Sequence, residues 1–347
     1  MTPINVLLAD DSGFMRLVLS DMLGTDQGIA IVGTAENGRE AYEKTRDLKP
    51  DVVLLDLIMP EYDGLYAVRQ IMQECPRPIV VLSALGNSQS ETVFEALDAG
   101  AYDFLGKPAG VLGSKIRGIE AQLVAKIKTA ARVDLHTLLR KQRRQNTHSH
   151  TFEDQLAYQV VAMGASTGGT GVLEEILQKM PDNFPIPIVI AQHMPAGFVE
   201  SFARRLNSAL PLTVKVARNG EALANGVAYI LPGDQNTRVK RDQTGGKVRF
   251  ESTNQQFPEY NAPSVDCLLQ SVAEVYGPQA IGVILTGMGK DGAAGMTYLH
   301  RKGAFTIAQD EKTSVVFGMP KAAIDRGTIR QVLPAPEIPG FVVSCLS

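Results

Sequence analysis

Cysteine is scarce in this sequence, and charge of neither sign dominates it. Cys75, Cys267 and Cys345 are widely separated, which matches neither a disulfide framework nor a metal site, so free thiols in a reducing compartment are expected. The formal net charge of −3 gives no global attraction to nucleic acid or anionic membranes. In MTPINVLLADD two aspartates directly follow a short apolar run, which is typical of neither a signal peptide nor a membrane anchor. The cytoplasm is therefore the expected location.

The composition indicates a globular protein with two domains. The chain has 347 residues, of which 44% are hydrophobic and 20% charged, enough for two cores of ordinary size. The stretch 132–152 is polar and basic, and its second half has too little apolar periodicity to form a core element. Its cations Arg140, Lys141, Arg143 and Arg144 allow a nucleic-acid arm, but a solvated tether is the simpler interpretation. We predict a first domain over 1–126, a linker over 127–154 and a second domain over 155–347.

The first half alternates short apolar runs with segments of helical periodicity. This alternation is typical of repeated βα units around a parallel sheet. Between the first two runs, SGFMRLVLSDML places Phe14, Leu17, Val18 and Met22 on one helical face. We expect five strands with helices between them, at 5–9, 29–33, 52–55, 79–82 and 101–105.

Most of these predicted strands end in polar side chains suited to phosphate chemistry. Ligands of an open α/β sheet bind beyond the carboxyl ends of its strands, so we expect these residues to converge: Asp10, Asp11, Asp56, Ser83 and Lys107. Three carboxylates together repel one another unless a hard dication such as Mg²⁺ or an ammonium such as that of Lys107 lies among them. A carboxylate in that position can accept a phosphoryl group. Taken singly, each aspartate could instead cap a helix or turn, but the agreement among strand ends favours the phosphoryl site.

These residues resemble the receiver domain of two-component response regulators, over about the first third of the chain. The matching motifs are Asp10-Asp11, Asp56-Leu-Ile-Met-Pro60, Asp63-Gly64, Ser83-Ala84 and Lys107-Pro108. The resemblance implies a five-stranded flavodoxin-like fold, phosphorylation of Asp56 by a histidine kinase, and Mg²⁺ bound by Asp10, Asp11 and Asp56. It also implies that Ser83 and Lys107 contact the phosphoryl group and that Tyr102 is an aromatic switch residue. The output of the switch stays open.

The second half also predicts a mostly parallel α/β domain. Its strand candidates are 160–163, 187–191, 281–285 and 304–308, and 226–250 contains VAYILP and VRF with a turn at 244–246, which indicates an antiparallel insertion. Each parallel candidate is followed by polar residues, which the same rule brings to one edge of the sheet. They are Ser166 with Thr167, Gln192 with His193, the segment Thr286 to Asp291, and Gln309 with Asp310.

The loop Gly164 to Gly169 allows a phosphate cradle or a nucleophile turn. It lacks the Gly-x-Gly-x-x-Gly pattern with a following acid that dinucleotide binding requires, and it lacks the Gly-Lys-Ser/Thr of a P-loop. Gly164-Ala-Ser166-Thr-Gly168 does match Gly-x-Ser-x-Gly, in which small neighbours let a sharp turn expose the serine hydroxyl. The alternative is that Ser166 caps the following helix.

A serine nucleophile requires a base and an orienting acid. His193 is the one histidine of this half that follows a predicted buried strand, and its alternative is a hydrogen-bonded residue near a helix start. Asp291 follows the third predicted strand and could instead cap a helix; Asp310 is the rival acid. Ser166, His193 and Asp291 would supply nucleophile, general base and orienting acid from three strand ends.

The second half closely resembles the chemotaxis protein-glutamate methylesterases of the CheB family. The matching motifs are Gly164-Ala-Ser-Thr-Gly-Gly169, Gln192-His-Met-Pro195, Leu285-Thr-Gly-Met-Gly-Lys-Asp-Gly292 and 309–320, and a receiver precedes this domain in that family. The resemblance implies a doubly wound, Rossmann-like catalytic domain that hydrolyses γ-glutamyl methyl esters on the cytoplasmic helices of chemoreceptors and often deamidates receptor glutamines. It assigns Ser166, His193 and Asp291 as the triad, with Thr167 and the Met288 main chain near the oxyanion. The resemblance further implies that Mg²⁺ serves the receiver and that hydrolysis needs no cofactor.

Two departures from that family pattern concern receptor specificity. Asn236 stands where the family often has His, and Asn261-Ala262 stands where it often has His-Arg. A binding module with a structural Ser166 is the main alternative to an esterase. A DNA-binding output lacks support because the sequence has neither a helix-turn-helix pattern nor a domain-wide basic face. Direct insertion into a membrane is not expected either.

Overall fold

The computed structural model describes residues 3–84, 90–107, 117–133, 157–242, 246–259 and 262–346. They belong to two compact units, Met1–Gln142 and Arg143–Ser347. A helix that ends at Ala130 passes the predicted domain boundary at 126, and the rest of the predicted linker from 134 to 154, with its basic cluster, lies outside the described residues. Within the described ranges, no helix combines the length and hydropathy needed to cross a membrane.

A five-stranded parallel sheet forms the centre of the first unit, as predicted. Its strands are β1 (Ile4–Ala9), β2 (Ile29–Ala35), β3 (Val52–Asp56), β4 (Ile79–Ala84) and β5 (Asp103–Lys107), in the order β2-β1-β3-β4-β5. The helices are α1 (Gly13–Gly24), α2 (Gly38–Leu48), α3 (Gly64–Glu74), α4 (Ser90–Asp98) and α5 (Arg117–Ala130). Every residue of β3 is buried, which is the usual environment of a central strand covered by helices on both faces.

The predicted apolar face of α1 is partly wrong. Phe14 and Leu17 are 54% and 61% exposed, whereas Leu19, Met22 and Leu23 are buried. The helix carries two overlapping apolar stripes, and its periodicity does not distinguish between them. The buried stripe is the one that faces the neighbouring elements, among them β2 and α5.

A seven-stranded parallel sheet and a separate antiparallel hairpin form the second unit. The sheet has the order β14-β13-β12-β6-β7-β9-β8, and β10 pairs with β11. Its strands are β6 (Val160–Ala165), β7 (Ile188–Gln192), β8 (Thr213–Val216), β9 (Val227–Ile230), β12 (Ala280–Ile284), β13 (Phe305–Gln309) and β14 (Gln331–Leu333); the hairpin strands are β10 (Asn236–Arg241) and β11 (Val248–Thr253). The helices are α6 (Gly169–Gln178), α7 (Ala196–Ala209), α8 (Val265–Tyr276), α9 (Ala293–Arg301), α10 (Met319–Ile324) and α11 (Ile338–Ser344).

The antiparallel insertion is present but smaller than predicted. VAYI does not belong to it: Val227–Ile230 pairs in parallel with β7 and β8 as part of the main sheet. The hairpin partner of VRFEST is NTRVKR, a polar strand that alternates buried and partly exposed residues. The predicted turn at 244–246 lies largely outside the described residues.

The strand order of each sheet reverses beside a central strand. β1 lies between β2 and β3 in the first unit, and β6 lies between β7 and β12 in the second. Loops that leave such a strand and its neighbour diverge and open a crevice at the carboxyl edge, where ligands of α/β proteins bind. The topology therefore predicts ligand-binding sites at the carboxyl ends of β1 and β3 in the first unit, and of β6, β7 and β12 in the second.

Candidate active site

Four of the predicted phosphoryl-site residues meet at the carboxyl edge of the first sheet. The Lys107 ammonium lies 2.7 Å from Asp10 Oδ2 and 2.6 Å from Asp56 Oδ2. Asp10 and Asp56 are buried and Asp11 is exposed, and carboxylate oxygens of all three aspartates lie within 4.8 Å of one another. Two buried carboxylates and one solvent-facing carboxylate form an oxygen-rich site open on one side, which fits a hard dication such as Mg²⁺.

Burial and the ion pairs act against each other on this cluster. Burial, together with the Asp10 charge, raises the pKa of Asp56, although the Lys107 ammonium opposes this change. Burial by itself would lower the pKa of Lys107, but the carboxylates of Asp56 and Asp10 outweigh it and raise that pKa. Lys107 therefore stays positively charged and holds the two buried carboxylates together.

Ser83 and Tyr102 occupy positions that differ slightly from those predicted. Ser83 lies within β4, rather than after it, and pairs in register with Gly106, directly beside Lys107. Tyr102 precedes β5 and is only 2% exposed, and this burial raises the pKa of its phenol.

Arg16 is a member of this site that sequence reasoning missed. Its guanidinium donates to the main-chain oxygens of Asp10 at 2.7 Å and Asp11 at 3.3 Å, and it also pairs with Glu36. These contacts fix the loop that carries both aspartates. No local pattern identifies the residue, because its partners are carbonyl oxygens of the preceding loop and a carboxylate after the next strand.

Ser166 lies in the turn between β6 and α6, and it is not the cap of that helix. The N-cap position is Gly168, and no side chain caps the helix. The Ser166 main chain is held by Thr286 O, which accepts from Ser166 N at 3.0 Å, and by Gly169 N, which donates to Ser166 O at 2.8 Å. Its half-buried hydroxyl makes no hydrogen bond to the described part of the chain. The capping alternative is therefore wrong.

His193 follows β7 at the strand end next to Ser166. Its main-chain N–H donates to Ala165 O at 3.0 Å, which places the two loops side by side. Its Nε2 lies 2.8 Å from Asp291 Oδ2, and its side chain is 14% exposed. The base–acid contact of a triad is thus formed, and no hydrogen bond joins the Ser166 hydroxyl to the imidazole among the described residues.

The Asp291 carboxylate is held by the N-terminus of α8. Val265 N donates to Oδ2 at 2.7 Å, and Asp266 N donates to Oδ1 at 2.9 Å. The Ser264 hydroxyl and Gly292 N donate to Oδ1 at 3.1 and 3.0 Å. Burial would raise the pKa of Asp291, but the contacts with His193 and these donors outweigh it and lower that pKa. The buried carboxylate therefore stays ionised beside the imidazole.

Asp291 is likewise not the cap of its own helix. Gly292, which has no side chain to offer, occupies the N-cap of α9, and Asp291 lies one residue before that position. The rival acid, Asp310, accepts from Thr313 N at 3.0 Å within its own turn. The structure therefore brings Asp291, and not Asp310, to His193.

The supporting residues of Asp291 were not predicted from sequence. Asn236 Oδ1 accepts from Ser264 N at 2.7 Å, and its Nδ2 donates to Gln255 O at 3.1 Å. Asn236, which departs from the family pattern, thus holds the segment that holds Asp291. Asn261, the other departure, lies outside the described residues.

The main-chain N–H groups of Thr167, next to Ser166, and of Met288 are among those without an acceptor within the described ranges. Thr167 O accepts from the Thr286 hydroxyl at 3.0 Å, which ties the serine turn to the loop after β12. Gly287 packs against the serine: a Cβ added there would lie 2.8 Å from Ser166 Cβ. Unpaired donors beside a half-buried hydroxyl can stabilise a developing oxyanion.

Comparison with known proteins identifies both units. The family model for the CheB methylesterase matches residues 161–342, and that for the response regulator receiver domain matches 6–112. A protein-glutamate methylesterase/protein-glutamine glutaminase of Pyrococcus abyssi is 41% identical over 98% of this chain and 93% of its own length. The like-named protein of Thermotoga maritima is 41% identical over 97% of this chain and 96% of its own.

A solved structure resembles the second unit. The crystal structure of the Thermotoga maritima CheB methylesterase catalytic domain covers 54% of this chain and 98% of its own, at 44% identity and a TM-score of 0.52. Together with full-length relatives and both family models, this likeness confirms the predicted family: the chain belongs to the CheB methylesterases, with a receiver domain preceding the methylesterase domain.

Proposed function

We propose that this chain is a cytoplasmic, phosphorylation-activated esterase that hydrolyses γ-glutamyl methyl esters on the cytoplasmic helices of chemoreceptors. The observation that carries the proposal is the contact of His193 with the buried Asp291 at 2.8 Å, next to a serine that caps no helix. The relatives named protein-glutamate methylesterase/protein-glutamine glutaminase support the choice of substrate. Methanol is the expected product.

The first step is the attack of Ser166 Oγ on the ester carbonyl carbon. His193 Nε2 faces Asp291, so Nδ1 takes the serine proton while the ionised Asp291 stabilises the imidazolium. The carbonyl oxygen becomes an oxyanion, to which the main-chain N–H groups of Thr167 and Met288 donate.

Collapse of this intermediate breaks the bond to the methoxy group. The imidazolium returns its proton to the leaving methoxide, so methanol departs and a glutamyl ester of Ser166 remains. Water then attacks that ester with His193 again as base, which releases glutamate and restores the serine. A primary amide gives the same tetrahedral intermediate with ammonia as leaving group, so the proposal includes deamidation of receptor glutamines.

The receiver supplies the regulation in this proposal. Asp56 accepts a phosphoryl group from a histidine kinase, and Ser83 and Lys107 contact its oxygens. Asp10, Asp11 and Asp56 would hold Mg²⁺, which when bound offsets negative charge on the phosphoryl group. Tyr102 is the proposed switch residue, and the receiver over 1–126 and the catalytic domain over 155–347 are joined by the linker 127–154.

Methanol release from methylated chemoreceptor membranes tests the esterase. With phosphodonor and Mg²⁺ present, we expect Ser166→Ala to lose about four orders of magnitude or more in rate, because the nucleophile is gone. Ser208→Ala is the matched control, since Ser208 is exposed on α7 and bonds only to Arg204 O within the described chain. Equal activity of Ser166→Ala and wild type, or inactivity of the wild type on several receptors, would contradict the proposal.

A further inference from the structure

Gln192 joins the nucleophile loop to the base loop through one amide group. It is the last residue of β7 and is 3% exposed. Its Nε2 donates to Ser166 O at 2.9 Å and to His193 O at 3.0 Å. An amide nitrogen carries two hydrogens, so both are used on the main chain of the two residues whose spacing a serine hydrolase must control.

The amide is held firmly in this orientation. Both partners are carbonyl oxygens, which requires the NH₂ side of the amide to face them. Gln192 Oε1 is buried and has no hydrogen-bond partner within the described residues. A Cβ added at Gly169 would lie 2.2 Å from that oxygen, so the start of α6 leaves just enough room for the amide. The amide therefore keeps this orientation although its oxygen is left without a partner among the described residues.

The regular sheet does not constrain the two loops by itself. Pairing of β6 with β7 ends at Ala165 and Gln192, and the bond from His193 N to Ala165 O is the last between the strands. Beyond it the chain turns toward α6 on one side and α7 on the other. The Gln192 amide adds two bonds where main-chain pairing stops, and thereby ties Ser166 to His193 directly.

We propose that Gln192 is a positioning residue for the hydrolysis, which sets the spacing between the main chains of Ser166 and His193. The inference rests on the proposed esterase function. Misplacement of reacting groups by about 1 Å can cost 10²-fold in rate. Loss of both bonds should therefore act on the chemical step, and substrate binding should change little because the amide is buried away from solvent.

Gln192→Glu and Gln192→Met test this role, because both side chains are close in size to glutamine and an ionised Glu or a Met donates no such bonds. For methanol release from methylated receptor membranes we expect kcat to fall about 10- to 100-fold, with KM within threefold of wild type. For Gln192→Met, which adds no charge beside His193, the acidic limb of the pH profile should stay in place, because the His193–Asp291 contact is retained.

Val343→Ala is the control for lost stability, since Val343 is buried in α11, an element that carries none of Ser166, His193 and Asp291. At equal loss of thermal stability it should keep wild-type kcat. The inference is overturned if both Gln192 variants keep kcat within threefold of wild type, or if Val343→Ala loses as much kcat as they do. Methanol release by Ser166→Ala would instead refute the esterase function itself.

Discussion

Asp266 is a buried carboxylate that the catalytic steps do not use. It is 3% exposed, and its Oδ1 accepts from Gly295 N at 2.6 Å, so it joins the starts of α8 and α9. Burial and the nearby Asp291 charge raise the pKa of Asp266 to about 6, although Gly295 N and Arg326 act in the opposite direction. Two adjacent buried carboxylates thus respond differently: Asp291 has enough donors to stay ionised, and Asp266 has fewer.

This difference predicts a pH-dependent stability. The unfolded carboxyl has a pKa of about 3.9, so the folded state binds this proton more tightly. The resulting stabilisation is full below about pH 4 and is lost as the pH rises through about 6, which amounts to on the order of 2–3 kcal/mol. Asp266→Asn is neutral throughout, so its free energy of unfolding relative to wild type should increase by that amount between pH 4 and pH 8.

Urea unfolding at several pH values measures this change. Asp182→Asn, in an exposed loop of the same unit, is the control for the loss of one carboxyl group. If the free energies of unfolding of Asp266→Asn and wild type differ by a constant amount from pH 4 to pH 8, the folded protein does not favour the protonated form of Asp266 over the carboxylate.

The helix N-terminus is the element that makes Asp291 an effective partner for His193. The first residues of α8 donate two main-chain N–H groups and one hydroxyl to its carboxylate. Helix N-termini carry a partial positive charge that stabilises anions. The same element would resist protonation of Asp291, so the proposed catalytic pair depends on a helix that lies between His193 and Asp291 in the sequence.

The loop after β12 requires a residue without a side chain at position 287. A Cβ added at Gly287 would lie 2.2 Å from Met319 Sδ and 2.8 Å from Ser166 Cβ. We expect Gly287→Ala to displace the serine turn and lower kcat for methanol release at least about 10-fold. Gly340→Ala, in α11 with no atom within 4 Å of the added Cβ, should leave kcat unchanged; equal kcat in both variants would rule out the steric argument.

Short elements were the ones that sequence patterns did not identify. The four parallel strands predicted in the second half are present, each within one or two residues of its expected position. β8 and β14 have four and three residues, too few for a periodic signal. The composition of VAYI suits any strand, so sequence alone does not show which strands it pairs with. Its pairing with β7 and β8 is determined by tertiary packing.

At the scale of the whole molecule, the prediction concerns the proposed control of the esterase by the receiver. If the unphosphorylated receiver inhibits the catalytic domain, deletion of residues 1–149 should raise the basal rate of methanol release. In the full chain, Asp56→Asn should remove the response to phosphodonor, since the acceptor carboxylate is lost. The solved Thermotoga maritima catalytic domain, a separate chain matched over 98% of its length, supports the expectation that the truncated protein folds.

Rates measured with and without phosphodonor check both variants. A folded truncation with an unchanged or lower basal rate would count against inhibition by the receiver. If the rate of methanol release by the Asp56→Asn variant still responds to phosphodonor, the phosphoryl acceptor is a residue other than Asp56.

The sequence by itself determined the fold class, the family and the residues proposed for the two sites. It could do so because those residues stand in short motifs at strand ends, where local order along the chain encodes spatial position. Sequence motifs alone were enough to name Ser166, His193 and Asp291.

Only the tertiary structure decided which acid contacts His193, which atoms hold that acid, and what ties the serine to the histidine. These contacts join residues far apart in the chain: 98 positions separate His193 from Asp291, 27 separate Ser264 from Asp291, and 26 separate Gln192 from Ser166. Each contact depends on distances that are set by the packing of whole strands and helices. A local sequence pattern contains no information on those distances. The same reason explains why the contacts of Arg16, Asn236 and Asp266 could be assigned only in the folded chain.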